Sequence, residues 1–141
     1  MKVRNAVVVG AVTIGLFAAV ASAGEPVPID VKDDAGTALS GDPDHGEIVF
    51  KKCMVCHSIK AGENKIGPSL NGVVGRPAGS IPGFNYSPAN KKSGITWSPQ
   101  ELFVYLKNPQ GTVPGTKMSF PGLPKPEDRA DIIAYLEKNS K

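Results

Sequence analysis

Residues 53–57, with the sequence Cys-Met-Val-Cys-His, constrain the fold of this chain more than any other segment. On a helical turn, Cys53, Cys56 and His57 are three and four positions apart and therefore share one face. Two thiols on that face can bond to the two vinyl groups of a haem while the imidazole binds its iron. The motif is typical of covalent attachment, and we expect one haem c per chain, held by Cys53 and Cys56.

Other interpretations of the cysteine pair are weaker. A disulfide would close a very short loop and contribute little stability. A thioredoxin-like redox pair requires a βαβ unit, and no strand is predicted before the motif. A zinc site requires four ligands, and the chain offers the two cysteines with His45 and His57, which are not spaced as a ligand pair. We interpret His45 as a solvated residue of a helix.

The composition favours a fold built around a cofactor. The 141 residues include 16 glycines and 13 prolines, which predicts many loops and a thin hydrophobic core. A domain of about 100 residues with so many loops would be only marginally stable without something else in its interior. The net charge of +3 is too small for a nucleic-acid-binding protein, so we expect no nucleic-acid partner.

The N-terminus has the pattern of a secretory signal peptide. Basic residues at positions 2 and 4 precede the apolar run 6–21, and small residues occupy positions 21–23. The apolar run is shorter than the ~20 residues that a membrane-spanning helix needs. We therefore expect residues 1–23 to be cleaved after Ala23 and the protein to be exported to the periplasm. A leader retained as a membrane anchor is the alternative.

Helix-start signals predict an all-α fold of three to four short helices joined by long loops, with no convincing strand. Helices are expected to begin after Asp42, after Ser98 and near Pro126, and a short helical turn is expected at residues 88–92. Residues 24–41 contain prolines, acids and small residues without a period. They are predicted to be a flexible extension, which leaves residues 42–141 as the haem domain.

Elimination leaves one methionine as the candidate second ligand of the iron. Met1 would be removed with the leader, and Met54 lies inside the attachment motif and cannot reach the opposite face of the haem. Met118 follows a Pro-Gly turn at residues 114–115 and lies in a loop between helices. Ligation by His57 and Met118 closes both axial positions, which favours electron transfer over catalysis. A small haem peroxidase or a gas-binding sensor, which needs an open position, is the alternative.

Several further strings occur in a fixed order along residues 41–141, and together they are far more specific than the attachment motif alone. The strings are Gly46 with Phe50, Gly67-Pro68-x-Leu70, Gly75-Arg76, Gly83-Phe84-x-Tyr86, Ala89-Asn90, Gly94-Ile95-Thr96-Trp97, Tyr105-Leu106, Asn108-Pro109, Pro114-Gly115-Thr116-Lys117-Met118 and Ile133-Ala134-Tyr135-Leu136. With these strings and Cys53-x-x-Cys56-His57, the chain resembles the class I c-type cytochromes, close to the mitochondrial type and its soluble bacterial relatives.

The resemblance implies a cytochrome c fold and roles for residues around the haem. The Pro68 carbonyl would accept the free N–H of His57 and fix the imidazole, and Met118 would bind iron from the other side. Gly46 would let the first and last helices approach closely. On the methionine side, a buried polar network would contain Tyr105, Thr116 and Asn90. The haem propionates would be held by Tyr86, Trp97 and Arg76.

The resemblance also implies a soluble, monomeric, single-haem electron carrier that is not an enzyme. One electron at a time would pass through an exposed haem edge during transient docking with redox proteins. Expected partners are a quinol–cytochrome c reductase, a terminal oxidase, a photosynthetic reaction centre or a periplasmic dehydrogenase, and contact with membrane complexes would be peripheral. A basic rim that steers these partners is expected from Lys52, Lys60, Lys65, Lys91, Lys92 and Lys117.

Overall fold

Short helices and long loops make up most of residues 24–140, the part of the chain that the computed structural model describes. The predicted signal peptide, residues 1–23, lies outside these residues. The elements in chain order are β1 (Val27–Lys32), β2 (Ala38–Gly41), α1 (Pro43–Phe50), α2 (Pro88–Lys92), α3 (Pro99–Lys107), α4 (Pro109–Thr112) and α5 (Pro126–Asn139). The mostly helical fold class is confirmed, with the addition of a small sheet. None of the helices in residues 24–140 has the length and apolar character that a membrane span requires.

Capping side chains determine where the predicted helices begin. Asp42 accepts hydrogen bonds from the backbone N–H groups of residues 44 and 45, and Ser98 accepts one from the N–H of residue 101. Ser87 does the same for α2. Each cap is followed by proline at the first helical position, where a missing N–H costs nothing. The predicted starts of α1, α2 and α3 are therefore confirmed.

The prediction that residues 24–41 contain no strand is wrong, because β1 and β2 form an antiparallel hairpin there. Ile29 and Val31 point inward and are 7% and 2% exposed, while their neighbours along β1 face solvent. The turn is closed by the Asp33 side chain, which accepts hydrogen bonds from the N–H groups of residues 35 and 37 at 2.9 and 2.8 Å. Only two inward positions alternate along β1, and they lie next to Pro28. The pattern was therefore too short to indicate a strand.

A single turn of helix, α4, replaces the start of the loop that was predicted to carry Met118. The Asn108 side chain accepts a hydrogen bond from the N–H of Gly111 at 3.0 Å, and Pro109 occupies the first helical position. Asn108 thus ends α3 and starts α4, which turns the chain sharply towards the loop that carries Met118.

The packing of α1 against α5 forms the centre of the hydrophobic core. Gly46 lies so close to the backbone of Asp131 that a Cβ atom there would overlap its carbonyl group. The rings of Phe50 and Tyr135 lie with centroids 5.2 Å apart. The resemblance therefore predicted this close approach correctly. His45 is exposed as predicted, but its Nδ1 atom also lies 2.7 Å from Oδ2 of Asp131, which links the two helices.

Candidate haem site

A cavity of about 440 Å³ lies between the attachment motif, α3 and the loops on either side of α2. Its size is within the range of about 300–1,000 Å³ that is usual for ligand sites. All of the site residues predicted from the sequence line it: Cys53, Cys56, His57, Pro68, Arg76, Tyr86, Asn90, Trp97, Tyr105, Thr116 and Met118.

The attachment motif forms the helical turn that its spacing predicts. The N–H of His57 donates to the carbonyl of Cys53 at 2.9 Å, and the N–H of Cys56 donates to the same carbonyl at 3.0 Å. Both cysteines are free thiols. Burial raises the pKa of the Cys53 thiol to about 11, an effect that the nearby Lys52 charge partly offsets. Two unpaired thiols therefore face the cavity beside the imidazole.

The imidazole of His57 is fixed in one tautomer. Its Nδ1 atom lies 2.7 Å from the carbonyl oxygen of Pro68, and because a carbonyl can only accept, Nδ1 carries the proton. Burial lowers the pKa of His57, and the charges of Arg76 and Lys65 lower it further, against the opposite effect of the Pro68 hydrogen bond. The ring is therefore held neutral, which leaves Nε2 with a free lone pair suited to a metal.

Gly67 explains how close the loop comes to this ring. A Cβ atom on Gly67 would overlap the Cε1 atom of His57 and lie 2.7 Å from its Nδ1 atom. The N–H of Gly67 also donates to the carbonyl of Cys56 at 2.8 Å. The loop thus packs directly against the edge of the imidazole, where only glycine fits.

Met118 is held by one hydrogen bond to its side chain and two to its backbone. The Tyr105 hydroxyl donates to its sulfur at 3.2 Å, and its own N–H donates to Oγ1 of Thr116 at 3.2 Å. The side-chain amide of Gln110 donates to the Met118 carbonyl at 2.9 Å. Burial raises the pKa of the Tyr105 phenol, which the neighbouring Thr116 side chain partly offsets, so the hydroxyl keeps the proton that it donates.

Arg76 forms another polar part of the cavity wall. The guanidinium of Arg76 donates to the carbonyl of Asn71 at 2.7 Å and to that of Ser69 at 2.9 Å. No carboxylate in the described part of the chain pairs with it within ion-pair distance. Its half-buried positive charge is therefore available to an acidic group inside the cavity.

These features fit a haem, which combines an apolar ring system with two carboxylates. The cavity wall is mostly hydrophobic, and Asn90 carries a buried Oδ1 atom that has no hydrogen-bond partner within residues 24–140. A buried polar atom without a partner indicates a missing donor, since such atoms are nearly always paired in native proteins. Arg76 thus points to an acidic group in the occupant of the cavity, and Asn90 points to an additional hydrogen-bond donor beside it.

Sequence reasoning missed several apolar residues of the wall. Val73 is 3% exposed and lines the cavity, as does Phe120, two positions beyond Met118. Val55 and Ile66 also line the cavity although they are 72% and 82% exposed, so they lie at its rim. Val55 lies between the two cysteines, so the attachment motif itself indicated that this residue would lie at the cavity.

The structure brings only part of the predicted basic rim to the cavity. Lys52 and Lys117 line it, and the ammonium of Lys117 donates to the carbonyl of Asn85 at 3.1 Å across its mouth. The ammonium of Lys65 donates to the Met54 carbonyl at 2.9 Å, next to the attachment motif. The cavity lining does not include Lys60, Lys91 or Lys92.

Comparisons with known proteins agree with this site. The family model for cytochrome c matches residues 44–140. Cytochrome c2 of Rhodopila globiformis is 58% identical over 103 residues, which is 72% of this chain and 97% of that protein. Cytochrome c of Arabidopsis thaliana is 51% identical over 109 residues, 76% of this chain and 97% of that protein. The structure of cytochrome cH from Methylobacterium extorquens is 46% identical and superposes with a TM-score of 0.66, covering 70% of this chain and 99% of that one.

Members of the matched family carry electrons and are not enzymes, and they bind haem c through a cysteine pair at the spacing found here. The expectations of a haem cofactor and of a non-enzymatic role are therefore confirmed. From the match along residues 44–140 and from the thiols and imidazole that face one cavity, the chain belongs to the cytochrome c family, as a class I c-type cytochrome that binds one haem through Cys53 and Cys56.

Proposed function

We propose that His57 and Met118 bind the haem iron from opposite faces and that the protein carries single electrons between redox partners. The observation that carries this proposal is the placement of the two side chains on one cavity. Among the methionines of residues 24–140, Met118 alone lines the cavity, whereas Met54 is 48% exposed at the attachment motif. The sulfur already has its orienting partner, the Tyr105 hydroxyl.

The haem supplies an iron centre that gains and loses one electron, with a potential that depends on its axial ligands and their surroundings. The chain supplies the rest. Pro68 holds the His57 ring with Nε2 free, and Tyr105 directs the lone pair of the Met118 sulfur. With both axial positions filled by side chains, no site is left for a peroxide or a gas, which favours a carrier over a peroxidase or a sensor.

The polar wall of the cavity would receive the haem propionates. Arg76, Tyr86 and Trp97 all line the cavity, and the unpaired charge of Arg76 is the strongest attraction for a carboxylate there. On the methionine side, Asn90 and Thr116 would complete a polar network with Tyr105.

Partners would dock where the cavity opens. Exposed Val55 and Ile66 supply an apolar contact, and Lys52 and Lys117 supply positive charge beside it. Small, short-lived contacts of this kind suit a monomer that meets a quinol–cytochrome c reductase and then a terminal oxidase, a reaction centre or a periplasmic dehydrogenase. A place in a respiratory chain follows from such partners.

The site of action would be the periplasm. The basic start, apolar run and small residues of positions 1–23 support cleavage after Ala23, so that Gly24 begins the mature chain. The mature protein would then consist of the hairpin segment 24–41 and the haem domain 42–141. Mass spectrometry of the native protein tests this directly. A mass that includes residues 1–23 would contradict export by a cleaved signal peptide.

Absorption spectra of the oxidised and reduced protein test the ligation. Wild type should show a low-spin c-type spectrum with the weak far-red band of a sulfur–iron bond. Met118→Ala should lose that band and bind carbon monoxide when reduced, while the control Met54→Ala should keep the band. A high-spin wild type that binds carbon monoxide would contradict the proposal and favour an open iron.

Redox kinetics with small charged complexes test the basic rim. At low salt, Lys52→Glu should slow oxidation by the anionic complex hexacyanoferrate(III), because charge reversal removes an attraction at the cavity mouth. The matched control is Lys138→Glu, on α5 and paired with Asp44 away from the cavity. Equal rates in the two variants would remove Lys52 from the docking surface.

A further inference from the structure

The hairpin of β1 and β2 lies outside the segment matched by the family model, which begins at residue 44. It is nevertheless part of the hydrophobic core. Ile29 and Val31 are among its buried residues. Gly41, at the end of β2, lies so close to α5 that a Cβ atom would overlap the carbonyl of Ala130. The hairpin therefore supports two helices of the family fold although it lies outside the matched segment.

Gln100 attaches this hairpin to α3. Its Oε1 atom accepts a hydrogen bond from the N–H of Lys32 at 2.8 Å, and its Nε2 atom donates to the Lys32 carbonyl at 3.2 Å. A single half-buried side chain thus pairs with both polar backbone groups at the end of β1, as a neighbouring strand would. The nearby ion pair of Lys107 with Asp34, at 3.2 Å, is exposed and contributes little.

The helix α3 presents nearly opposite faces to the hairpin and to the haem cavity. At about 100° per residue, Gln100 lies about 140° around the helix from Tyr105, and Lys107 lies about 160° from it. Tyr105 lines the cavity and donates to the sulfur of Met118 at 3.2 Å. The helix is therefore held between the hairpin on one face and the methionine side of the haem site on the other.

We propose that Gln100 is a positioning residue, which uses the hairpin to hold α3 at the depth where the Tyr105 hydroxyl reaches Met118. This inference rests on the proposed ligation of iron by Met118. The hydroxyl can direct the sulfur only while α3 stays fixed, and the contacts of Gln100 are the hydrogen bonds from α3 to the hairpin backbone. Loss of these two bonds should loosen the methionine side of the site without disturbing the His57 side.

Competition by imidazole for the oxidised, full-length holoprotein tests this role, since added imidazole binds iron only when Met118 moves away. Gln100→Ala should bind imidazole about five-fold more tightly than wild type, the change expected from losing the net effect of one to two hydrogen bonds. The far-red band should disappear at correspondingly lower imidazole. Gln100→Glu, which keeps the acceptor for the Lys32 N–H, should give an intermediate affinity.

Two control variants separate positioning from other effects. Glu101→Ala truncates the exposed neighbour on the same helix and should leave the imidazole affinity unchanged. Ile132→Val weakens the buried packing of α5 and should lower the unfolding midpoint in guanidinium without changing the imidazole affinity. Hydrogen exchange should show faster exchange of the α3 amides in Gln100→Ala only.

An imidazole affinity of Gln100→Ala equal to that of Glu101→Ala would overturn the positioning role while leaving Met118 as the ligand. An equal rise in Ile132→Val would also overturn it, because general loss of stability would then explain the effect. A wild type without the far-red band would instead contradict ligation by Met118 and overturn both proposals.

Discussion

The interface between α1 and α5 and the loop wall of the haem cavity, residues 58–87 and 113–120, are stabilised by different kinds of contact. At the interface, Gly46 allows backbone contact with Asp131, and Ile132 and Ile133 are 1% and 0% exposed. In the loop wall, side chains such as Arg76 and Lys117 donate to backbone carbonyls around an open space. The first region is close-packed by protein alone, and the second is shaped around a haem.

This difference predicts that damage to the two regions will be seen by different measurements. A change at the α1–α5 interface should reduce global stability, because buried apolar packing is its main source. A change in the loop wall should alter the ligation and the access of small molecules before it alters global unfolding, because local opening costs less than unfolding.

The largest effect is expected for Gly46→Val. Its side chain would overlap the carbonyl of Asp131 and approach the Cβ atom of Tyr135, so α1 and α5 would have to separate. We expect a loss of about 3 kcal/mol in the free energy of unfolding. Guanidinium unfolding of the holoprotein measures this loss, with exposed Glu47→Ala as the control. A Gly46→Val protein as stable as the control would contradict the close-packed interface.

The next largest effect is expected for Gly67→Ala in the loop wall, because the new methyl group would displace the His57 ring. The content of haem per chain should fall, which the pyridine haemochrome assay measures. Ala61→Val, on a neighbouring exposed turn, is the control and should keep its haem. Full haem content with a normal far-red band in Gly67→Ala would show that the ring does not depend on this contact.

For Gln110→Ala we expect the free energy that holds Met118 against a competing ligand to fall by about 1 kcal/mol. The effect should be confined to the methionine side of the site. The side-chain amide of Gln110 donates to the carbonyls of Met118 and Thr116 at 2.9 and 3.4 Å. Imidazole affinity should rise about five-fold while the guanidinium midpoint stays within error of wild type. If the guanidinium midpoint of Gln110→Ala fell while its imidazole affinity stayed unchanged, this loop-wall residue would behave like one of the α1–α5 interface. That result would contradict the distinction between the two regions.

The smallest effect is a pH dependence at the α1–α5 interface. Burial raises the pKa of Tyr135, and the charge of Glu47 raises it further. A raised pKa in the folded state means stability that is complete below the unfolded value of about 10 and is lost as the pH rises through the folded value. The unfolding free energy of wild type should therefore decline above about pH 10 more steeply than that of Tyr135→Phe. Equal slopes in wild type and Tyr135→Phe would show that groups outside this interface cause the decline in unfolding free energy.

Local signals made much of this molecule predictable. The attachment turn depends on residues 53–57 alone, and the caps Asp42 and Ser98 lie next to the helices that they start. The hairpin was missed because its stability comes from burial of Ile29 and Val31 and from the distant Gln100, none of which local pattern reveals.

Apart from the attachment motif and Met118, the residues of the cavity wall could be anticipated only through the resemblance. The contact of Tyr105 with Met118 joins residues 13 positions apart, and that of Lys117 with Asn85 joins residues 32 apart. Such pairs arise from tertiary packing around the haem and leave no periodic pattern in the chain.

X-ray absorption spectroscopy at the iron edge of the oxidised holoprotein tests the central claim, ligation by His57 and Met118, most directly. Wild type and Met54→Ala should show one sulfur and five nitrogen neighbours around iron, and Met118→Ala should lose the sulfur. Only nitrogen or oxygen neighbours in wild type, or a sulfur neighbour that persists in Met118→Ala, would contradict the account.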